Sequence, residues 1–142
     1  MTTDDRSAAE LIRELRSQHS LVLDLTRNWD DMAALYTEDG VMDAHEVGLP
    51  VFKGRQAIRD GFAKLAEQTA TSFHIIGNHR ITVDGDQASG TCYFYGRGTM
   101  KDGRLLDSAG YYDDQCVLTE EGWKFRSRFV HFLVPLDYQV AL

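Results

Sequence analysis

The chain has 142 residues, 43% hydrophobic and 26% charged, a composition that builds a core and excludes a disordered tract. Its 22 acidic side chains outnumber 15 basic ones for a net charge of −7, which argues against a nucleic-acid partner. No run approaches the roughly 18 apolar residues of a membrane span, and the acidic start Met1 to Arg6 lacks a secretory pattern, so the expected location is cytoplasmic.

Helices come first. Ala8, Leu11, Ile12, Leu15, His19, Val22 and Leu23 recur at helical spacing and predict a helix from Ala8 to about Thr26. Asn28 is placed to cap a second, short helix from Trp29 to Tyr36, with Trp29, Met32, Ala33 and Tyr36 on one face. Glu38-Asp39-Gly40 ends it, Val41 to Ala44 reads as a short strand, and a loop surrounds Gly48-Leu49-Pro50. A third helix starts after Gly54 and runs to about Gln68, packing Ala57, Ile58, Phe62 and Leu65.

Then the period changes. Phe73–Asp84, Gln87–Met100, Leu105–Leu118 and Trp123–Val134 are long β-rich runs separated by hairpin chemistry such as Asp84-Gly85-Asp86. They predict a meander of four antiparallel strands covered on one face by the helices, an α+β fold. Strands this long must coil, which turns the sheet into a cone with a packed floor and an open mouth. Gly90, Gly96, Gly98 and Gly110 mark bends inside it. One domain spanning 1–142 is expected, with its core at about 8–134. Cys92 and Cys116 lack CxxC spacing and sit in apolar runs, which predicts buried free thiols.

The order Asn28-Trp29-Asp30, Leu35 to Asp43, Phe52 to Ile58, His74, Gly85 to Ala88 and Gly122 to Arg128 resembles the SnoaL-like branch of the nuclear transport factor 2-like superfamily. The resemblance spans about 8–134. It implies a cone-shaped α+β barrel in which three N-terminal helices pack on a strongly curved, mainly antiparallel sheet. It also implies small apolar ligands and a homodimer. Enzymes of this kind include ketosteroid isomerase, scytalone dehydratase, bile-acid dehydratase and polyketide cyclases.

The same resemblance marks three catalytic candidates, and strand alternation adds a fourth. Asp43 takes the place of the isomerase's general base, and a partly desolvated carboxylate there suits proton transfer. Asp114 takes the place of the carboxyl kept protonated to donate to an oxyanion. Tyr112, two residues earlier, shares its strand face with Gly110 and Cys116. His74 resembles the dehydratases' catalytic histidine, and imidazole suits removal of a proton beside a carbonyl. Where the dehydratases carry an aspartate four residues before the tryptophan, this chain has Leu25, with Asp24 beside it. Helical phase carries Asp24 away from the apolar stripe, so Asp24 substitutes only if the helix bends there. The dehydratase tyrosine is replaced by Asp24 itself, and the isomerase's first-helix tyrosine aligns near Ser20.

The expected ligand pocket takes Asp24, Trp29, Tyr36, Phe62, Phe125, Phe129 and His131, the last sharing a face with Phe129 and Leu133. His74 and His79 fall on opposite faces and His45 lies in a loop, so no metal site is expected. Gly96-Arg97-Gly98 lies within a strand and is no phosphate loop. On strand 87–100 either Cys92 and Phe94 or Tyr93 and Tyr95 face inward. The outward aromatics favour a sheet-to-sheet homodimer, and Val134 to Tyr138 is apolar enough to cover the mouth or a partner. The function expected is cofactor-independent acid–base catalysis, as dehydratase, isomerase or cyclase, on an apolar carbonyl-bearing polyketide- or steroid-like molecule. The alternatives are a non-catalytic ligand-binding or dimeric scaffold of the same fold, and a subunit that stabilises a partner enzyme.

Overall fold

The computed structural model describes residues 6–140, with side chains described from 6 to 134. Helix α1 spans Ala8–Leu21 and begins where the Ser7 hydroxyl accepts from the Glu10 N–H at 3.2 Å. It buries Ile12, Leu15, Arg16, His19 and Ser20. The helical run reaches Thr26 as its periodicity predicts, but Val22–Thr26 forms a turn of π-helix. Arg27, at φ 53°, closes that turn by donating its N–H to the Val22 carbonyl at 2.8 Å.

Helix α2 spans Trp29–Ala34, with Asn28 accepting from the Asp31 N–H as its cap. It stops two residues before the expected end because Tyr36 opens strand β1, Tyr36–Asp43. Glu38-Asp39-Gly40 therefore lies within a strand. Tertiary pairing overrides the local breaker signal: Tyr36 is in register with Phe125, whose N–H donates to the Leu35 carbonyl at 2.9 Å. After β2, Phe52–Lys53, helix α3 spans Arg55–Gln68 and buries Ile58 and Phe62.

The remaining strands are β3 Thr69–Gly77, β4 Thr82–Asp84, β5 Gln87–Met100, β6 Arg104–Thr119 and β7 Gly122–Val140. They form one sheet of order β2-β1-β7-β6-β5-β3, with β4 pairing to β5 off that path. The pairs are antiparallel except β1 with β7, which is parallel. The three helices pack on the concave side of this curved sheet, giving the expected cone-shaped α+β fold. The predicted run Phe73–Asp84 is broken into β3 and β4, because the chain leaves the sheet at Asn78 (φ 51°) and returns close over Gly90. A Cβ on Gly90 would lie 1.9 Å from the Arg80 carbonyl oxygen, so this crossing requires glycine.

Burial alternates along the long strands and decides which face is which. Ala88, Cys92 and Phe94 on β5, Tyr112, Asp114 and Cys116 on β6, and Phe125, Arg128 and Val130 on β7 are buried against the helices. Tyr93 and Tyr95 point outward and are 49% and 38% exposed. Cys92 and Cys116 are buried free thiols, and burial pushes Cys116 up to about 12. Past Val134, which is exposed, the expected mouth cover Pro135 to Tyr138 lies outside the described side chains.

Candidate active site

A cavity of about 370 Å³ opens between the π turn, α2, α3 and the inner faces of β3, β5 and β6. Leu23, Trp29, Val47, Leu49, Phe62 and Leu65 give it apolar walls. Trp29 and Phe62 stack at 6.1 Å with an interplanar angle of 11°. Its volume lies near the small end of the roughly 300–1,000 Å³ usual for ligand sites.

His74 lines this cavity from β3, and Asp24 stands behind it. The π turn makes this possible. Each residue advances an α-helix by about 100°, and the wider turn changes that phase, so Asp24 meets the sheet while Leu25 is 72% exposed. Asp24 accepts three hydrogen bonds: from Ser72 Oγ at 2.8 Å, from the His74 N–H at 2.7 Å and from His74 Nδ1 at 2.7 Å. Burial alone raises its pKa, but the donors from His74 and Ser72 outweigh that and hold the carboxyl below its ordinary value. As a carboxylate it fixes the Nδ1–H tautomer, leaving the Nε2 lone pair to act as an acceptor. Arg27 ties the turn to the strand: its Nη2 donates to the carbonyls of Ala66 and Thr69 at 3.1 and 3.3 Å.

The other expected catalytic residues lie elsewhere. Asp114 and Tyr112 do face inward, but at the packed end of the cone rather than at the cavity. Asp114 is fully buried and accepts from Arg16 Nε at 2.9 Å, Arg128 Nε at 2.7 Å and Arg128 Nη2 at 3.0 Å. With two guanidinium groups on it, this carboxylate is a counter-charge and not a protonated donor. The Arg128 guanidinium lies 3.8 Å from the Tyr112 ring and 4.4 Å from the Phe125 ring. Tyr36 is buried in the same layer, its hydroxyl 3.0 Å from His19 Nε2. Burial pushes both phenols up, and burial and then Arg128 push His19 down. Tyr36 and Phe125 are therefore core residues, contrary to their expected place in the pocket wall.

Asp43, Phe129 and His131 are on the wrong side of the sheet. Met42 pairs with buried Arg128, so the next pair, Asp43 with Phe129, faces the convex side. Asp43 accepts from the N–H of His45 at 3.0 Å and from its Nδ1 at 2.6 Å. Although burial raises its pKa, these bonds prevail and lower it, opposite to the shift a general base needs. His131 stacks on Tyr111 at 4.8 Å and donates from Nδ1 to Glu46 at 2.8 Å. His79 meets Arg16 Nη1 at 3.0 Å. Among the described residues no group of three His, Cys, Asp or Glu side chains is placed to hold a metal ion, and no helix is long and apolar enough to cross a membrane.

Thus the cavity wall takes His74, Trp29 and Phe62 from the expected set, with Asp24 directly behind. Arg27, Ser72 and Ser108 were not signalled by the sequence, although they too line the cavity. Their neighbours Gly96, opposite His74 in register, and Gly98, opposite Ser72, did carry a mark as bends in the strand.

A SnoaL-like domain model matches residues 4–129. Over 120 residues, 82% of this chain and 80% of the relative, the sequence is 28% identical to an uncharacterised protein of Mycobacterium tuberculosis. A crystal structure of a candidate aromatic ring hydroxylase from Novosphingobium aromaticivorans superposes with a TM-score of 0.88 at 30% identity, covering 93% of each chain. A candidate scytalone dehydratase from the same organism superposes with a TM-score of 0.80 at 19% identity, covering 94% of this chain and 91% of its own. At that identity the second likeness is one of fold.

Proposed function

The chain belongs to the SnoaL-like domain family, and from that premise we propose that it is a single-domain, cytoplasmic enzyme of cofactor-independent acid–base chemistry. The observation that carries this reading is the Asp24–His74 pair, joined at 2.7 Å on the wall of an apolar cavity. His74 Nε2 takes a proton from the carbon next to a substrate carbonyl. Asp24 stabilises the imidazolium so formed, as a carboxylate does when it orients a catalytic histidine. The proton then returns to a departing hydroxyl, in dehydration, to another carbon, in isomerisation, or, in cyclisation, to the alkoxide formed when the enolate carbon bonds to a second carbonyl carbon. The apolar cavity of about 370 Å³ suits a polyketide- or steroid-like molecule.

The test uses 2-tetralone, a bicyclic ketone with acidic hydrogens beside its carbonyl, in deuterated water. The protein is expected to accelerate exchange of those hydrogens, read by proton NMR, and His74→Ala to abolish the acceleration. Binding of 2-tetralone with no exchange, unchanged in His74→Ala, would support a ligand carrier instead.

A second copy of the chain is the partner proposed for the convex sheet face. Phe73, Ile75, Tyr93 and Tyr95 are 50%, 57%, 49% and 38% exposed. Ile75 pairs with Tyr95 and Gly77 with Tyr93, so these side chains adjoin in one apolar patch. Sedimentation velocity checks this reading: Tyr93→Lys with Ile75→Lys is expected to leave a monomer, and a wild-type monomer sinks it.

A further inference from the structure

With Asp114 and Tyr112 committed to the packed end, the cavity needs another group to face the substrate's oxygen. One row of the sheet supplies it. His74 on β3 is in register with Gly96 on β5, and Gly96 with Ser108 on β6, and all three line the cavity. A Cβ on Gly96 would stand 3.1 Å from His74 Nε2 and 3.3 Å from Ser108 Oγ. The two polar atoms therefore flank one slot, floored by bare glycine backbone.

Their hydrogen-bonding capacities are complementary. Nε2 accepts, because Nδ1–H is held by Asp24. Among the described residues the Ser108 hydroxyl donates to the Gly96 carbonyl at 3.4 Å, long for a hydroxyl donor, whose bonds cluster near 2.7–2.8 Å. A rotation about Cβ–Oγ turns that proton into the slot at small cost.

We propose that Ser108 is a further catalytic residue, one that donates to the carbonyl oxygen of the substrate while His74 takes the proton from the adjacent carbon. This rests on the acid–base reading above. The C–H electron pair becomes the new C=C bond, the carbonyl π pair moves onto oxygen, and the negative charge forms against the Ser108 hydroxyl. The imidazolium of His74 holds the proton until it is returned. Gly96 keeps the slot open, since any side chain there displaces the substrate atom lying between the two groups.

The experiment pairs the 2-tetralone exchange with binding of 2-naphthol, which mimics the enol's shape and oxygen, and of naphthalene, which lacks the oxygen. Ser108→Ala is expected to slow exchange roughly 100-fold, as loss of one oxyanion donor does. It is also expected to weaken 2-naphthol binding about tenfold, the scale of one hydrogen bond, and to leave naphthalene binding and thermal stability unchanged. Unaltered 2-naphthol affinity in Ser108→Ala overturns the proposal. If the wild type shows no exchange while Ser108→Ala still loses 2-naphthol selectively, the acid–base reading fails, and with it the catalytic role of Ser108, but not its contact with a ligand oxygen.

Discussion

Asp24 Oδ1 lies 2.7 Å from His74 Nδ1, and Asp24 Oδ2 lies 2.7 Å from the His74 main-chain nitrogen. One carboxylate thus fixes both the ring and the strand that carries it. The bond depends on the π turn as much as on the aspartate, and this gives the first prediction.

Exchanging the two neighbours, Asp24→Leu with Leu25→Asp, keeps the composition and moves the carboxylate by one residue. Leu25 faces solvent, so the moved carboxylate does not reach His74. Exchange of 2-tetralone is expected to fall about 10²–10⁴-fold, as in Asp24→Leu alone. A swap variant that recovers wild-type rates would show that the π turn does not set the phase.

Asp114 is expected to matter for folding and not for chemistry. Asp114→Asn leaves Arg16 and Arg128, both 1% exposed or less, without their counter-charge. Breaking such a pair costs about 3–5 kcal/mol, measurable as a lower urea midpoint. Exchange per folded molecule should stay within a few-fold of wild type, because the cluster does not touch the cavity.

Glycines at two places in the sheet should respond differently. A Cβ on Gly110 would sit 1.9 Å from the His131 carbonyl oxygen, so Gly110→Ala forces β6 from β7 and costs more than about 3 kcal/mol. A Cβ on Gly96 meets side-chain atoms of His74 and Ser108 at 3.1 Å or more. Gly96→Ala is expected to fold with a nearly unchanged melting temperature and to lose 2-naphthol binding.

Stability should decline as the solution becomes acidic, beginning above the carboxylate range. Burial and then Arg16 hold the pKa of His79 below 6.5, and burial lowers that of His19 further. An unfolded chain binds protons at these two sites that the folded chain refuses. Their contribution is therefore complete above about pH 6.5 and is lost as pH falls through the folded values. The urea midpoint is expected to drop between about pH 7 and pH 5, and His79→Asn to flatten the slope. A midpoint independent of pH in that window contradicts the neutral, Arg16-bonded state of His79.

Much of the architecture was legible in the residues because it rests on short-range periodicity. The stripe from Ala8 to Leu23 and the hairpin signal at Asp84-Gly85-Asp86 placed the start of α1 and the ends of β4 and β5 within a few residues. Errors came where a distant partner decided. Tyr36 extends because β7 receives it, and Phe73–Asp84 is broken because its middle crosses Gly90.

The candidate site divides along the same physical line. Alternation along a strand determined that Tyr112, Asp114 and Cys116 share one face, for side chains two apart point the same way, and burial shows that face to be the inner one. The motif order marked His74, and composition with periodicity sufficed for an α+β fold around an apolar interior. Alternation carries no information about depth, so only the tertiary structure decided that Asp114 lies among arginines at the packed end while His74 lines the cavity. Nor does it set the register of β1 on β7, which turns Asp43, Phe129 and His131 outward. The phase of the π turn, one residue wide in its effect, was likewise decided by packing, and it put Asp24 rather than its neighbour beside the histidine.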